Sequence, residues 1–147
     1  MNNNKTVFFA IGFLLIILGV SMLIPFFVEF IYHEKNSAFL SSAALTTFIG
    51  VLLMLTNLEE NRKLNLQQAF LLTTLSWLSI AIFSSIPFLF SNLNLSIVDS
   101  FFESMSGITT TGSTIITNLD NSPKGILIWR AILQWLGGIG IIVMAIT

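Results

Sequence analysis

Residues 96–120 read SIVDSFFESMSGITTTGSTIITNLD, and this stretch decides how the rest of the chain is interpreted. Its first half has the pattern of a short amphipathic helix, and it then changes abruptly to Thr, Gly and Ser. A helix over residues 97–108 would be about 18 Å long, well short of the roughly 30 Å hydrocarbon core of a bilayer. The stretch therefore predicts a re-entrant loop, in which a half-depth helix is followed by non-helical backbone.

The start of this half-helix is marked by its polar residues. Ser96 and Asp99 have the spacing of a capping box, with Asp in place of the usual Glu or Gln. Asp99 and Glu103 lie one turn apart, which argues against a full membrane span. We predict a pore helix at about residues 96–108, entering the membrane from one face, with a candidate filter at residues 109–113.

The flanking sequence is that of an integral membrane protein. Hydrophobic residues make up 54% of the 147 residues and charged residues only 9%, whereas about a quarter of a soluble domain is charged. About 20 apolar residues are enough to cross the membrane as a helix. Four such spans are predicted: 6–31, 37–57, 64–90 and 126–147. The sequence Ile-Pro-Phe ends the first span at Pro25 and the third at Pro87, which indicates that both reach the same membrane face.

Charge and composition exclude several classes of function. The net charge of −1 gives no electrostatic support for binding nucleic acid. The chain has no Cys and a single His, so thiolate metal sites and disulfides are excluded. No apolar span carries a His, a Cys or a paired-acid arrangement suited to catalysis, and we expect a protein that is not an enzyme and has no organic cofactor. The charged patch Glu59–Lys63 predicts a solvated loop.

The run from Thr109 to Ser113 has two interpretations. In an ion filter, backbone carbonyl oxygens replace the water shell of a cation, and Gly112 can adopt the positive φ that this backbone requires. The β-branched Thr109, Thr110 and Thr111 favour extended backbone, and the carbonyl end of the preceding helix favours a cation. The alternative is a Thr-rich turn that ends an interfacial helix, with Gly112 as an ordinary helix breaker.

Several residues of the last span have predicted structural roles. Arg130 is expected to pair with Glu103 or Asp99 of the pore helix, or to reach the outer interface. Gly137, Gly138 and Gly140 are expected to let this span approach the pore helix or another unit closely, and the alternative is that they form a hinge. Trp129 and Trp135 are expected to mark the outer interface.

Two segments carry a resemblance to a known family: FFESMSGITTTGST at 101–114 and LQWLGGIGIIV at 133–143. Both closely resemble the Trk/Ktr/HKT superfamily of potassium transporters. The two spans before the pore motif resemble the N-terminal part of the membrane subunit of the bacterial Trk uptake system. The resemblance implies an all-α membrane protein of potassium-channel-like fold, with a helix pair at 1–60 and the first membrane–pore-loop–membrane unit at 61–147.

The resemblance also implies a site, partners and a location. The potassium ion would be bound by carbonyls of Thr110, Thr111 and Gly112, with Thr109 at the inner end and Ser113 beside them. Partners would be a TrkA-like cytosolic nucleotide-binding subunit and a second copy of the full-length subunit. The location would be the bacterial inner membrane, with a cytoplasmic N-terminus; basic residues divide evenly between the two faces and decide little, although Arg62 and Lys63 cluster in one short loop.

Four such units surround one pore in that superfamily, and only one is present here. We therefore expect a fragment whose last helix is cut short. The competing hypothesis is a membrane scaffold or a truncated inactive product in which the Thr-rich loop is only structural.

Overall fold

The computed structural model describes residues 4–34, 38–58 and 65–146, with side chains described up to residue 140. All regular secondary structure over these residues is helical, as predicted. Its helices are α1 (Lys5–Ser21), α2 (Leu23–Ile31), α3 (Ala38–Thr56), α4 (Leu66–Leu89), α5 (Ile97–Ile108) and α6 (Lys124–Ile146), with a short 3₁₀ turn at Leu119–Asn121. The predicted loop at Glu59–Lys63, including Arg62 and Lys63, lies outside the described residues.

The first predicted span consists of two consecutive helices, α1 and α2. The division falls at Met22, three residues before Pro25. Proline has no N–H to offer the carbonyl four residues earlier, here that of Ser21, and its ring crowds that carbonyl. Together the two helices still form one membrane-length segment.

Three segments among the described residues are long and apolar enough to cross a membrane: Lys5–Ile31, Ala38–Thr56 and Leu66–Leu89. They coincide with the first three predicted spans. The 23 residues of α6 extend about 34 Å at 1.5 Å per residue, but α6 is not one of those three segments, so a fourth span remains a prediction.

Close contact between glycines joins α1 to α3. A Cβ atom on Gly12 would lie 2.7 Å from the carbonyl oxygen of Gly50, and one on Gly50 would lie 2.8 Å from that of Gly12. Larger residues would push the two backbones apart. These small residues therefore let α1 and α3 pack closely, which holds the N-terminal helices together.

The core lies where the N-terminal helices meet α4, α5 and α6. Trp129 is fully buried there: its ring packs edge-on against Phe39 at 6.1 Å, and its Nε1 donates to the carbonyl oxygen of Ser84 at 3.0 Å. The interface position predicted for Trp129 is therefore wrong, because one polar partner inside the bundle satisfies the indole. Trp135 is 66% exposed. Other core residues are Leu15, Leu18, Met22, Phe88, Ile108, Ile126 and Leu133.

The ends of α2 and α4 lie at the same end of the bundle as the start of α6. Glu29, Asn92 and Lys124, one from each region, line a single pocket. This agrees with the prediction that the first and third spans reach the same face. The helix α5 begins at this end as well, because only six residues separate Phe90 from Ile97.

Candidate functional site

The half-length helix α5 begins with the predicted capping box. The hydroxyl of Ser96 accepts a hydrogen bond from the backbone N–H of Asp99 at 3.1 Å, and the Asp99 carboxylate accepts one from the backbone N–H of Ser96 at 3.3 Å. These bonds satisfy N–H groups that have no partner within the helix. The helix then runs for 12 residues to Ile108, which is the length predicted.

The helix ends in a Schellman motif built around Thr110. The N–H of Thr111 donates to the carbonyl of Ser106, and the N–H of Thr110 donates to that of Gly107, both at 3.0 Å. This geometry needs a left-handed residue between them, and Thr110 has a φ of +58°. Such a conformation is rare for a β-branched residue and costs about 1–2 kcal/mol. The extended backbone predicted for Thr109 and Thr110 is therefore wrong, because Thr109 (φ −80°, ψ 2°) and Thr110 belong to the turn that ends α5.

Gly112 has a φ of +77°, the positive value that the sequence predicted for it. A Cβ atom there would have ordinary contact with Nε2 of Gln134, at 3.5 Å, so space is not the constraint. The constraint is the backbone conformation. Positive φ at Thr110 and Gly112 alternates with negative φ at Thr111 and Ser113.

The backbone carbonyls of this segment fall into two groups. Among the described residues, no hydrogen bond reaches the carbonyl oxygens of Thr109, Thr110, Thr111 or Gly112. The next carbonyl, that of Ser113, accepts from the hydroxyl of Ser106 at 2.6 Å. The hydroxyl of Thr109 donates back to the carbonyl of Met105 at 2.7 Å and pairs with that of Thr111 at 2.9 Å. Side chains thus brace the loop and leave four successive carbonyls unpaired.

A buried carboxylate fixes the return of the chain from this loop. Glu103, fully buried in α5, accepts from the Thr114 hydroxyl at 2.6 Å and from the N–H of Ile115 at 2.7 Å. Its other oxygen pairs with Nη1 of Arg130, which also donates to Thr114 at 3.1 Å. The sequence left Glu103, Asp99 and the outer interface open as the surroundings of Arg130, and in the structure Arg130 pairs with Glu103. One ion pair therefore ties α5, the returning chain and α6 together.

Hydroxyl groups anchor α5 to α4. The hydroxyl of Ser104 donates to the carbonyl of Ala81 at 2.6 Å and also contacts the hydroxyl of Ser84. Both serines are fully buried, so these bonds form away from water. They fix the depth of α5 against its neighbour.

Two neighbouring glycines of α6 differ in their surroundings. A Cβ atom on Gly137 would collide with the carbonyl group of Ile108, the last residue of α5, whereas one on Gly138 would meet nothing within 4 Å. Gly137 thus allows α6 to touch the end of α5, which agrees with the predicted close approach to the pore helix. Gly138 has no close neighbour among the described residues.

The structure places Thr109–Ser113 and Gly137 at the C-terminal end of α5 and the pair Glu103 and Arg130 about one turn further back, whereas Gly138 contacts none of them closely. Residues 110–114 are exposed on the surface of the chain, while Glu103 and Ser106 are buried behind them. Sequence reasoning did not find Ser106, Thr114 or the left-handed Thr110. A Ser or Thr close to a Gly-rich turn is only a weak signal that its hydroxyl binds the backbone of the turn. The sequence does not distinguish such a residue from any other nearby Ser or Thr. No cluster of three His, Cys, Asp or Glu side chains suited to a metal ion occurs in the described ranges.

Comparison with known proteins gives consistent matches. A family model described as "TrkH: Cation transport protein" matches residues 35–147. The chain is 41% identical over 139 residues to "Trk system potassium uptake protein TrkH" of Escherichia coli K12, covering 93% of this chain and 29% of that protein. It is 33% identical over 138 residues to TrkG of the same strain, covering 92% and 28%.

A solved structure matches as well. The crystal structure of the potassium transporter TrkH from Vibrio parahaemolyticus superimposes with a TM-score of 0.92 and 38% identity. The match covers 97% of this chain and 31% of that one. The chain therefore spans a little less than a third of the length of the relatives that it matches.

Proposed function

Because this chain belongs to the TrkH family of cation transport proteins, we propose that it supplies the first pore-loop unit of a potassium uptake transporter. In this proposal residues 1–60 form the N-terminal helix pair and residues 61–147 form the first of four units around one pore. The segment Thr109–Ser113 is one quarter of the filter. Carbonyls of Thr110, Thr111 and Gly112 coordinate K⁺, with Thr109 at the inner end.

The observation that carries the proposal is the run of four unpaired carbonyls at the end of a half-depth helix. Backbone groups without partners are tolerated within a membrane only where protein buries them or where they line water. Alternating positive and negative φ from Thr110 to Ser113 is suited to turning successive carbonyls toward one side. The C-terminal end of α5 adds negative potential at the same place, which favours a cation.

The chemistry of the segment suits an alkali cation. Its available ligands are neutral carbonyl and hydroxyl oxygens, and no titratable side chain belongs to it. Neutral oxygens match a weakly hydrated monovalent ion, whereas divalent hard cations are usually held by carboxylates. The buried Glu103 contributes only indirectly, since its oxygens are used by Thr114, Ile115 and Arg130.

The proposal extends to location and partners. The protein lies in the bacterial inner membrane with its N-terminus in the cytoplasm, so that α5 enters from the outer face. It works as a dimer of the complete subunit and with a TrkA-like nucleotide-binding partner. Exposed residues of the loop and the open side of Gly138 provide surfaces on which the remaining units could pack.

Replacing Gly112 by alanine tests the proposal. Contact with Gln134 at 3.5 Å leaves room for the methyl group, so the change acts through backbone strain of about 1–2 kcal/mol. In the complete protein, expressed in cells lacking their own potassium uptake, Gly112→Ala should lower the preference for Rb⁺ uptake over Na⁺ by about tenfold.

The matched control is Ser85→Ala, which loses only a hydrogen bond within its own helix, to the carbonyl of Ile82 at 2.7 Å. It should leave that preference unchanged. Wild-type discrimination in Gly112→Ala, with normal amounts of protein in the membrane, would favour the scaffold hypothesis over the filter.

A further inference from the structure

A pocket at the end of the bundle where α5 begins contains three carboxylates. Its volume is about 440 Å³, and its lining includes Glu29, Glu34, Asn92, Asp120, Asn121 and Lys124. None of the residues Thr109–Ser113 lines it. The pocket joins the end of α2 to the start of α6, two parts of the chain that are about 90 residues apart.

Glu29 is the unusual residue of this pocket. It is only 1% exposed, and neither of its carboxylate oxygens has a hydrogen-bond partner among the described residues. Its carboxylate lies against the first turn of α6, since a Cβ atom on Gly125 would be 2.7 Å from Oε1. An ionised carboxylate without a partner is costly to bury, and a bound cation would remove that cost.

Glu34 provides a second carboxylate beside it. Its Oε1 accepts a hydrogen bond from the backbone N–H of Lys124 at 3.0 Å, while its Oε2 is buried with no partner among the described residues. The N–H of Glu34 donates to the carbonyl of Glu29 at 2.9 Å, which holds the two residues together. Three buried carboxylate oxygens therefore remain available in one pocket.

We propose that this pocket binds a divalent cation with oxygen ligands, of the Mg²⁺ or Ca²⁺ class, through Glu29 and Glu34. The three carboxylates and the ammonium group of Lys124 together carry a charge of −2, which a divalent ion balances and a monovalent ion does not. Oxygen ligands and two carboxylates are what these ions require.

Water completes the coordination shell in this proposal. No three acidic side chains converge closely enough for a closed site among the described residues, and Mg²⁺ usually keeps several of its waters. A water molecule occupies about 30 Å³ in the liquid, so the pocket accommodates an ion with part of its hydration shell. Asp120 and Asn92 then accept hydrogen bonds from those waters through their side-chain oxygens.

The bound ion acts as a clamp between the N-terminal helix pair and the pore-loop unit. It neutralises Glu29 at the point where α2 meets α6, and α6 is joined to the site by the hydrogen bond from the Lys124 N–H to Glu34. This role does not depend on ion coordination at Thr109–Ser113, so failure of the Gly112 experiment would leave it standing.

Titration with Mn²⁺ tests the site, because Mn²⁺ prefers the same oxygen ligands and free Mn²⁺ is measured by electron paramagnetic resonance. The complete protein is purified in detergent in KCl and stripped of divalent ions. We expect saturable Mn²⁺ binding that Mg²⁺ or Ca²⁺ displaces and that raises the temperature of unfolding. Glu29→Gln should weaken this binding by about tenfold or more, and Asp99→Asn, a carboxylate outside the pocket, should not.

The proposal is overturned if the wild type shows no saturable binding in KCl. It is also overturned if Glu29→Gln binds Mn²⁺ with wild-type affinity and stoichiometry. Should Glu29→Gln fail to elute as a folded protein from size-exclusion chromatography, Glu34→Gln decides by the same criterion, because it removes a ligand and leaves the buried Glu29 in place.

Discussion

Breaking the ion pair between Glu103 and Arg130 should destabilise the protein by loosening the attachment of α6 to α5. In Glu103→Gln an amide replaces the carboxylate, so Thr114 and Ile115 keep an acceptor but Arg130 loses its counter-ion. Removing one partner of a buried pair typically costs about 3–5 kcal/mol. The Arg130 side chain is 11% exposed and can partly regain water, so the lower end, about 3 kcal/mol, applies.

A loss of about 3 kcal/mol is roughly a 100-fold change in the ratio of folded to unfolded protein. Unfolding of the complete protein in mixed detergent micelles would measure it. The double variant Glu103→Gln/Arg130→Met removes both charges, and it should be less destabilised than the sum of the two single variants.

Asp99→Asn is the matched control, because Asp99 lies one turn earlier in α5 and contributes only to the capping box. It should cost about 1 kcal/mol or less. The reasoning would be refuted if the double variant Glu103→Gln/Arg130→Met lost the sum of the stabilities lost by the two single variants, to within about 0.5 kcal/mol. That result would show that the two charges do not interact.

Two further substitutions test how the loop is held. Gly137→Val should separate α6 from the end of α5, because its side chain would collide with the carbonyl of Ile108; loss of the folded peak in size-exclusion chromatography is expected, and a normal peak with normal uptake would contradict the contact. Ser106→Ala removes the hydroxyl bonded to the carbonyl of Ser113, at a cost of about 1 kcal/mol, and should lower the preference for Rb⁺ over Na⁺ uptake several-fold. Ser85→Ala, which loses only a bond within its own helix to Ile82, should leave that preference unchanged.

Local features of the site could be predicted from sequence because their causes lie within a few residues. Ser96 and Asp99 form their capping box across three positions, and the length of α5 follows from where the apolar pattern gives way to threonine. The positive φ of Gly112 could be predicted because glycine is the one residue type in the run that adopts a positive φ without steric cost. Membrane spans are equally local, since length and hydropathy alone define them.

What the sequence did not show depends on contacts between distant residues. Trp129 was expected at the interface because tryptophan is common there, but the carbonyl of Ser84, 45 positions away, satisfies its N–H inside the core. Nothing in the sequence around Glu29 indicates Gly125 as its neighbour, and only the fold places the two residues together. Thr110 is an exception, because the Schellman bonds to Ser106 and Gly107 that require its left-handed conformation are local; the sequence did not indicate it because a β-branched residue rarely adopts that conformation.

Thallium, which scatters X-rays anomalously and substitutes for potassium, tests the central claim most directly. Crystals of the complete protein grown in K⁺ and exchanged into Tl⁺ would be measured near the thallium absorption edge. The proposal predicts anomalous peaks in direct coordination with the carbonyl oxygens of Thr110 and Thr111. Ordered Tl⁺ elsewhere in the pore, with none beside these carbonyls, would contradict it and make Thr109–Ser113 a structural turn.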